Sequence, residues 1–217
     1  MYVRRLRIVS RLLLFLLLAL PFAARAEKHP RPLLVCFGDS ITAGYGLQSG
    51  QSYPDALGDL LSLHGYSYQV INKGTSGATS KDALATLPVV VSLHPEIVIV
   101  EFGGNDGLRG LPLQLTRRNF EQILSQLEAA HIKVLLAGIT LPVNYGSDYI
   151  HQFEQMYRDL AAEHHTLFVP MLYKDLVHVP GSLQEDGIHP TAKGSRIIAE
   201  TLYKALGPGL KKQGLRD

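Results

Sequence analysis

The fold is decided by the stretch LLVCFGDSITAGYGL, residues 33–47, in which an apolar run leads into glycines and polar residues. The run 33–37 is continuous rather than alternating, as is typical of a central parallel strand that is buried on both faces. Ser40 follows this predicted strand at its carboxyl end, where α/β proteins bind their ligands. Ser40 is therefore a candidate nucleophile, although capping a helix or a turn is an equally common task for serine.

Four further apolar runs predict strands at residues 68–72, 97–102, 133–138 and 166–169. Segments with apolar residues at helical spacing lie between them, around residues 120–127 and 150–160, and a last helix is predicted at about 191–205. Strands that alternate with helices form right-handed βαβ units, which build a parallel sheet with helices on both faces. The chain is therefore predicted to be α/β, and its 217 residues fit one domain.

The first 26 residues have the composition of a secretory signal peptide. They contain five arginines and no acidic residue, an apolar run from residue 12 onward, and a small-x-small cleavage motif that ends at Ala26. An uncleaved anchor is the alternative, but Pro21 interrupts the apolar run before it reaches the ~20 residues of a spanning helix. We expect residues 1–26 to be a signal peptide, residues 27–217 to be the folded domain, and the protein to be periplasmic or secreted, with no integral membrane span after cleavage.

Charge and cysteine content narrow the choice of partners. The whole chain carries 21 Lys and Arg against 19 Asp and Glu, but removal of residues 1–26 leaves 16 against 19, a net charge of −3. Without a basic patch, the sequence does not favour a nucleic-acid partner. Cys36 is the only cysteine and lies inside an apolar run, so we expect a small buried side chain and no internal disulfide. We expect a monomer that acts on a small molecule.

Candidate site residues follow four of the five predicted strands. Ser40 follows the first, Gly77 lies in the loop TSGAT after the second, and Asn105 lies in GGND after the third. The motif DGIHP, with Asp186 and His189, comes after the fifth. Because the carboxyl ends of parallel strands meet at one edge of a sheet, we expect these groups to gather there.

The residue types at that edge are those of a serine hydrolase. A serine hydroxyl is a weak nucleophile until a base within hydrogen-bond reach takes its proton, and His189 is the candidate base. Asp186, three residues before it, would hold the imidazole in its working tautomer, with Glu185 as the weaker candidate. An oxyanion would need preorganised N–H donors, and the candidates are the backbone N–H groups of Ser40 and Gly77 and the side chain of Asn105. A loop glycine and a turn asparagine are the ordinary interpretations of the last two.

These motifs resemble those of the SGNH hydrolases, also called GDSL esterases and lipases. The four initials correspond to Ser40, Gly77, Asn105 and His189. The segments that carry the closer likeness are GGNDGLRG at 103–110, LPVNYG at 141–146 and DGIHP at 186–190. They are similar to the periplasmic thioesterase I, lysophospholipase and arylesterase subgroup. The likeness runs in order through nearly all of the chain after residue 26.

The resemblance implies a three-layer α/β/α, flavodoxin-like fold with a five-stranded parallel sheet. It also implies hydrolysis of esters and thioesters through an acyl-enzyme, with no cofactor and no metal. The expected substrates are aryl and short-chain esters, acyl-CoA and lysophospholipid. The implied triad is Ser40, Asp186 and His189, and the implied oxyanion hole is Ser40, Gly77 and Asn105.

The acyl chain has three candidate contacts, Leu108, Leu141 and Pro142, which could equally be ordinary packing residues. The resemblance places residues 107–113 in a segment beside the acyl pocket.

Three other interpretations remain. A carbohydrate O-acetylesterase of the same family would carry the same motifs. A non-catalytic binding protein would be expected to have lost Ser40, Asn105 or His189, and none is missing. A metallohydrolase is disfavoured, because Asp186 and His189 lack the three-ligand cluster of a catalytic zinc site.

Overall fold

The computed structural model describes residues 31–210. The predicted signal peptide and its cleavage site lie outside the described residues, as do residues 211–217. Among the helices of the described part, none combines the length and the apolar character needed to span a bilayer.

The centre of the molecule is a parallel sheet in the order β2-β1-β3-β4-β5. Its strands are β1 (Leu33–Gly38), β2 (Gln69–Gly74), β3 (Ile97–Glu101), β4 (Lys133–Ala137) and β5 (Leu167–Val169). All five predicted strands and the α/β class are confirmed. The largest difference between a predicted and an observed strand boundary is at the end of β2. There the backbone of Lys73 and Gly74 still pairs with β1, although neither residue belongs to the apolar run from which the strand was predicted. An edge strand needs an apolar pattern less than a central strand does, because water covers part of it.

Seven α-helices lie in the described part. They are α1 (Ser40–Ala43), α2 (Tyr53–Leu63), α3 (Ser80–Val91), α4 (Gly104–Leu108), α5 (Leu113–Ala129), α6 (Ser147–Glu163) and α7 (Ala192–Leu206). The three predicted helical segments correspond to α5, α6 and α7, with Thr191 capping α7 rather than lying within it. Short 3₁₀ turns cover Val143–Tyr145 and Gly207–Gly209.

The sequence reasoning did not single out α2 and α3, although both begin with a capping box. The side chains of Ser52 and Thr79 each accept a hydrogen bond from the backbone N–H of the residue three positions later. Those residues are Asp55 and Asp82, and their carboxyl groups in turn accept from the backbone N–H of the cap residue. This spacing is the signal that would have placed both helix starts.

The core lies between the sheet and its two helix layers. Helix α2 packs against α7, and α3 packs against α5, which also contacts α6. Right-handed crossovers place these two groups on opposite faces, because the chain moves from β1 outward to β2 and then back across to β3. Cys36 is fully buried in β1 as predicted, and burial raises the pKa of its thiol far above the usual range.

From β1 the chain adds β2 on one side of the sheet and then adds β3, β4 and β5 on the other side, so the connections diverge between the neighbouring strands β1 and β3. In an open α/β sheet a crevice forms at such a point, outside the carboxyl ends of the strands. Ser40 follows β1 directly and Gly104 begins the helix after β3, so the fold places both loops at this crevice.

Candidate active site

Ser40 is the first residue of α1, at the carboxyl end of β1. The turn into this helix is tight, because a Cβ on Gly38 would lie 2.6 Å from the backbone oxygen of Glu101. Asp39 caps the helix by accepting a hydrogen bond from the backbone N–H of Ile41 at 3.0 Å. The serine is therefore presented by a short, capped helix whose start only glycine permits.

His189 and Asp186 come to the same place from the other end of the chain. His189 Nε2 lies 2.9 Å from Ser40 Oγ, and His189 Nδ1 lies 2.6 Å from Asp186 Oδ2. The contact between serine and histidine joins residues 149 positions apart. The ring of Tyr45 lies against the imidazole, with 4.5 Å between the ring centroids. Glu185, the weaker candidate, is exposed, and the carboxylate that contacts His189 is that of Asp186.

Asp186 is held ionised by the turn that contains it. Its side chain is 40% exposed, and its second oxygen accepts from the backbone N–H groups of Ile188 and His189 at 2.9 and 3.0 Å. The hydrogen bond from the His189 side chain and these two backbone bonds lower the pKa of Asp186 to about 2. An ionised carboxylate only accepts hydrogen bonds, so His189 must carry its proton on Nδ1. Nε2 is then free to accept the proton of Ser40.

Asn105 lies in α4 and lines the same cavity as Ser40. Its Nδ2 donates to Asp39 Oδ2 at 3.1 Å and to the backbone oxygen of Ala78 at 3.0 Å. Helix α4 is anchored from behind by Asp106, a buried carboxylate that accepts from the backbone N–H of Ser80 at 2.8 Å. The asparagine is thus fixed both to the turn before Ser40 and to the loop after β2.

Gly77 lies in that loop with φ +78°, a backbone conformation that residues other than glycine rarely adopt. Its backbone oxygen accepts from Arg109 Nη2 at 2.8 Å, so the residue after α4 holds the loop in place. Gly77 is not among the described residues that line the cavity. The structure therefore brings Ser40, His189 and Asn105 to one cavity, with Gly77 in the adjoining loop.

The cavity beside Ser40 has a volume of about 330 Å³. The three predicted acyl-chain contacts, Leu108, Leu141 and Pro142, all line it. Further apolar side chains in its wall belong to Ile41, Ile139, Tyr173, Val177 and Ile188. The arrangement sets one nucleophilic hydroxyl at the edge of a largely apolar space.

Two buried acids at the site were missed by the sequence reasoning. Asp39 is 3% exposed and Glu101 is fully buried, and both line the cavity. Burial raises the pKa of Asp39 to about 6, and burial together with the Asp39 charge holds the pKa of Glu101 well above its usual range. Asp39 directly follows β1 and Glu101 ends β3, but this position in the sequence does not show whether an acid is buried.

No metal centre suggests itself. Among residues 31–210, no group of three or more His, Cys, Asp or Glu side chains is placed to hold a metal ion.

Comparison with known proteins gives the family. The family model for the GDSL-like Lipase/Acylhydrolase family matches residues 36–197. Esterase TesA of Pseudomonas aeruginosa is 39% identical over 176 residues, which are 81% of this chain and 88% of TesA. Thioesterase 1/protease 1/lysophospholipase L1 of Escherichia coli is 38% identical over 196 residues, 90% of each chain. A crystal structure of TesA matches with a TM-score of 0.79 and 38% identity, over 82% of this chain and 99% of that one.

These matches confirm the resemblance read from the motifs, and they extend over most of the chain rather than over the motifs alone. The protein belongs to the GDSL-like lipase/acylhydrolase family, the SGNH hydrolases, and is by class a serine ester hydrolase.

Proposed function

We propose that the protein hydrolyses carboxylic esters and thioesters through an acyl-enzyme intermediate on Ser40. The observation that carries this proposal is the continuous chain of contacts from Ser40 Oγ through the His189 imidazole to Asp186. In that arrangement the serine hydroxyl donates to Nε2, while Nδ1–H donates to the carboxylate.

The acylation step follows from this geometry. Ser40 Oγ attacks the carbonyl carbon while His189 Nε2 takes the serine proton, and the carbonyl oxygen becomes negatively charged. Asp186 stabilises the imidazolium that forms. His189 then gives the proton to the leaving alcohol or thiol as the C–O or C–S bond breaks. Water then attacks the acyl carbon while His189 Nε2 takes one of its protons. The bond between the acyl carbon and Ser40 Oγ breaks, His189 returns the proton to Oγ, and the acid is released.

The developing oxyanion needs donors at the same site. The backbone N–H groups of Ser40 and Gly77 and the side-chain amide of Asn105 are the proposed set. Loss of one such donor costs a factor of about 10²–10³ in kcat. The left-handed backbone of Gly77 supports this assignment, because it holds a donor in a set direction. The bonds to Asp39 and Ala78 fix the position of Asn105 Nδ2, which would share one of its two hydrogens with the oxyanion.

The substrate is proposed to carry an apolar acyl group. Leu108, Leu141 and Pro142 supply an apolar wall beside Ser40, and Val177 and Ile188 continue it to the exposed surface. This lining suits aryl and short-chain esters, acyl-CoA and lysophospholipid, which agrees with the names of the esterase, thioesterase and lysophospholipase relatives. An acetylated sugar would bring polar hydroxyls to the same apolar wall, so the alternative of a carbohydrate O-acetylesterase has less support.

An activity profile with a serine probe tests the proposal. The purified protein is assayed on p-nitrophenyl esters of increasing chain length, acyl-CoA, lysophospholipid and acetylated xylan, and is labelled with a fluorophosphonate. Ser40→Ala should lose labelling and lower kcat by at least about 10³-fold, because triad members act as a unit. Ser62→Ala, on the exposed face of α2, is the matched control. Turnover near wild type in Ser40→Ala, or a preference for the acetylated sugar, contradicts the proposal.

Export completes the proposal. The composition of residues 1–26 supports cleavage after Ala26 and a periplasmic or secreted location. Mass measurement of the protein recovered from the periplasm should give Glu27 as its first residue. An intact Met1 terminus would contradict cleavage.

A further inference from the structure

Asp39 contacts both parts of the site that must work together. Its Oδ1 accepts from the backbone N–H of Ile41 at 3.0 Å, and its Oδ2 accepts from Asn105 Nδ2 at 3.1 Å. The first bond caps α1, the helix that begins with Ser40. The second holds the amide proposed for the oxyanion. The acyl-transfer steps described above use neither oxygen of this carboxylate.

Helix capping alone does not explain an aspartate at this position. Three other helices of this protein are capped by hydroxyl side chains, those of Ser52, Thr79 and Thr191. Serine and aspartate are about equally good caps. A carboxylate has a second oxygen that a hydroxyl lacks, and in Asp39 this oxygen is the one that reaches Asn105. Asp39 also carries a cost, because it is 3% exposed and a buried carboxylate is expensive.

The direction of the Asn105 amide depends on these contacts. An amide has a donor end and an acceptor end of nearly the same shape, so rotation by 180° exchanges them. The backbone oxygen of Ala78 and an ionised Asp39 can only accept, and both therefore require Nδ2 rather than Oδ1 to face them. An amide rotated by 180° would turn Oδ1 toward these two acceptors. Because Nδ2 carries only two hydrogens, a developing oxyanion would share one of them with Asp39 or Ala78 in a three-centre hydrogen bond.

We propose that Asp39 is a positioning residue, which orients the amide of Asn105 for the oxyanion and holds it in register with the helix that carries Ser40. This inference rests on the proposed function. Asp39 acts through Asn105 and is not itself required to touch the substrate.

The charges around Asp39 are consistent with this role. Glu101 lies beside it, and burial together with the Asp39 charge raises the pKa of Glu101 well above its usual range. Burial is the largest influence on Asp39 and raises its pKa, whereas the hydrogen bonds from Ile41 and Asn105 lower it and favour the ionised form. Only the ionised form offers acceptors on both oxygens.

A double-mutant cycle with Asn105 tests the proposal. Asp39→Ser keeps a cap for α1 and removes the contact with Asn105. Asp39→Asn is close in shape, but its one acceptor oxygen cannot serve both Ile41 and Asn105. The kcat and KM on a p-nitrophenyl ester are measured for each variant, for Asn105→Ala and for the double variants. Circular dichroism and thermal melting confirm that each is folded. If Asp39→Ser does not fold, the cycle is run with Asp39→Asn.

Each Asp39 variant should lower kcat by about 10- to 100-fold with little change in KM, since the lost interaction acts in the transition state. In the Asn105→Ala background the same change should cost less than about twofold, because its target is already gone. A wild-type kcat in the Asp39 variants would overturn the proposal. So would an equal fold-loss in both backgrounds, which would mean that Asp39 acts independently of Asn105.

Failure of the inference is distinguishable from failure of the proposed function. If Asn105→Ala itself keeps a wild-type kcat, the oxyanion assignment is wrong. If Asn105→Ala loses about 10² or more and the Asp39 loss is additive, the oxyanion assignment stands and only the positioning role is wrong.

Discussion

Two aspartates of the candidate site occupy opposite electrostatic environments. Asp186 lies in an exposed turn near the C-terminus, and hydrogen bonds from His189 and the backbone lower its pKa to about 2. Asp39 lies under the site at the end of β1, and burial raises its pKa to about 6. Both accept hydrogen bonds from a residue proposed for the chemistry, His189 in one case and Asn105 in the other.

The two aspartates show two ways in which a carboxyl group can be held in place. The turn around Asp186 satisfies the carboxylate with short local bonds and leaves it in contact with water, so its charge costs the fold little. Asp39 is fixed by contacts between separate elements and has been taken out of water, so its charge opposes stability. Groups whose environment penalises their charged form are common at functional sites, where stability is exchanged for geometry.

The largest expected effect concerns Asp186. Asp186→Asn should lower kcat by about 10⁴-fold, because an amide in place of the carboxylate allows the wrong tautomer of His189. Steady-state kinetics on a p-nitrophenyl ester measure the loss. Glu185→Gln, one residue away and also exposed, is the matched control and should keep wild-type turnover. Similar losses in both variants would mean that the turn as a whole, and not the Asp186 carboxylate, supports the imidazole.

The second prediction concerns stability and pH. The folded-state pKa of Asp39 is raised from 3.8 to about 6, so the fold favours the neutral acid. Its contribution to stability is complete below the unfolded pKa and is lost as the pH rises through about 6. The free energy of unfolding of the wild type should therefore fall by about 2 kcal/mol relative to Asp39→Asn between about pH 4 and pH 7.

Urea unfolding across this pH range measures the difference. The carboxyls of Glu101 and Asp106 and the imidazole of His189 act on Asp39 and are present in both proteins. Asp186 has the opposite sign, since its depressed pKa stabilises the fold above the unfolded value and loses that effect as the pH falls through about 2. A pH-independent difference between wild type and Asp39→Asn would contradict the raised pKa of Asp39.

The smallest expected effect concerns Glu101. This side chain is fully buried, and its Oε1 has no hydrogen-bond partner among the described residues. Burial and the Asp39 charge raise the pKa of Glu101 well above its usual range and so favour the neutral acid, which Gln resembles in charge and shape. We expect Glu101→Gln to keep kcat on the same ester within about twofold of the wild-type value, which is a change of less than ~0.5 kcal/mol in the activation free energy. A loss of tenfold or more would mean that Glu101 is charged or exchanges a proton during turnover.

Much of this site could be read from the sequence because its parts are local. The strand before Ser40, the turn of Asp186 and His189, and the glycine loop around Gly77 are short segments whose residue types determine their conformation. The two buried acids could not be identified in that way, because an aspartate and a glutamate after apolar runs look the same whether they are exposed or buried. Their state depends on Thr42, Asn105 and the neighbouring strand, which come from distant parts of the chain.

The sequence by itself determined the alternation of strands and helices, the family, and the three side chains proposed for the triad. Apolar periodicity and local turn chemistry act within a few residues, so they can be read without a structure. Only the tertiary structure decided that His189 lies 2.9 Å from Ser40, and that Asp39 is buried while Asp186 is in water. The physical reason is that burial and long-range contact depend on how the strands are ordered in the sheet, and no single segment of the chain carries that order.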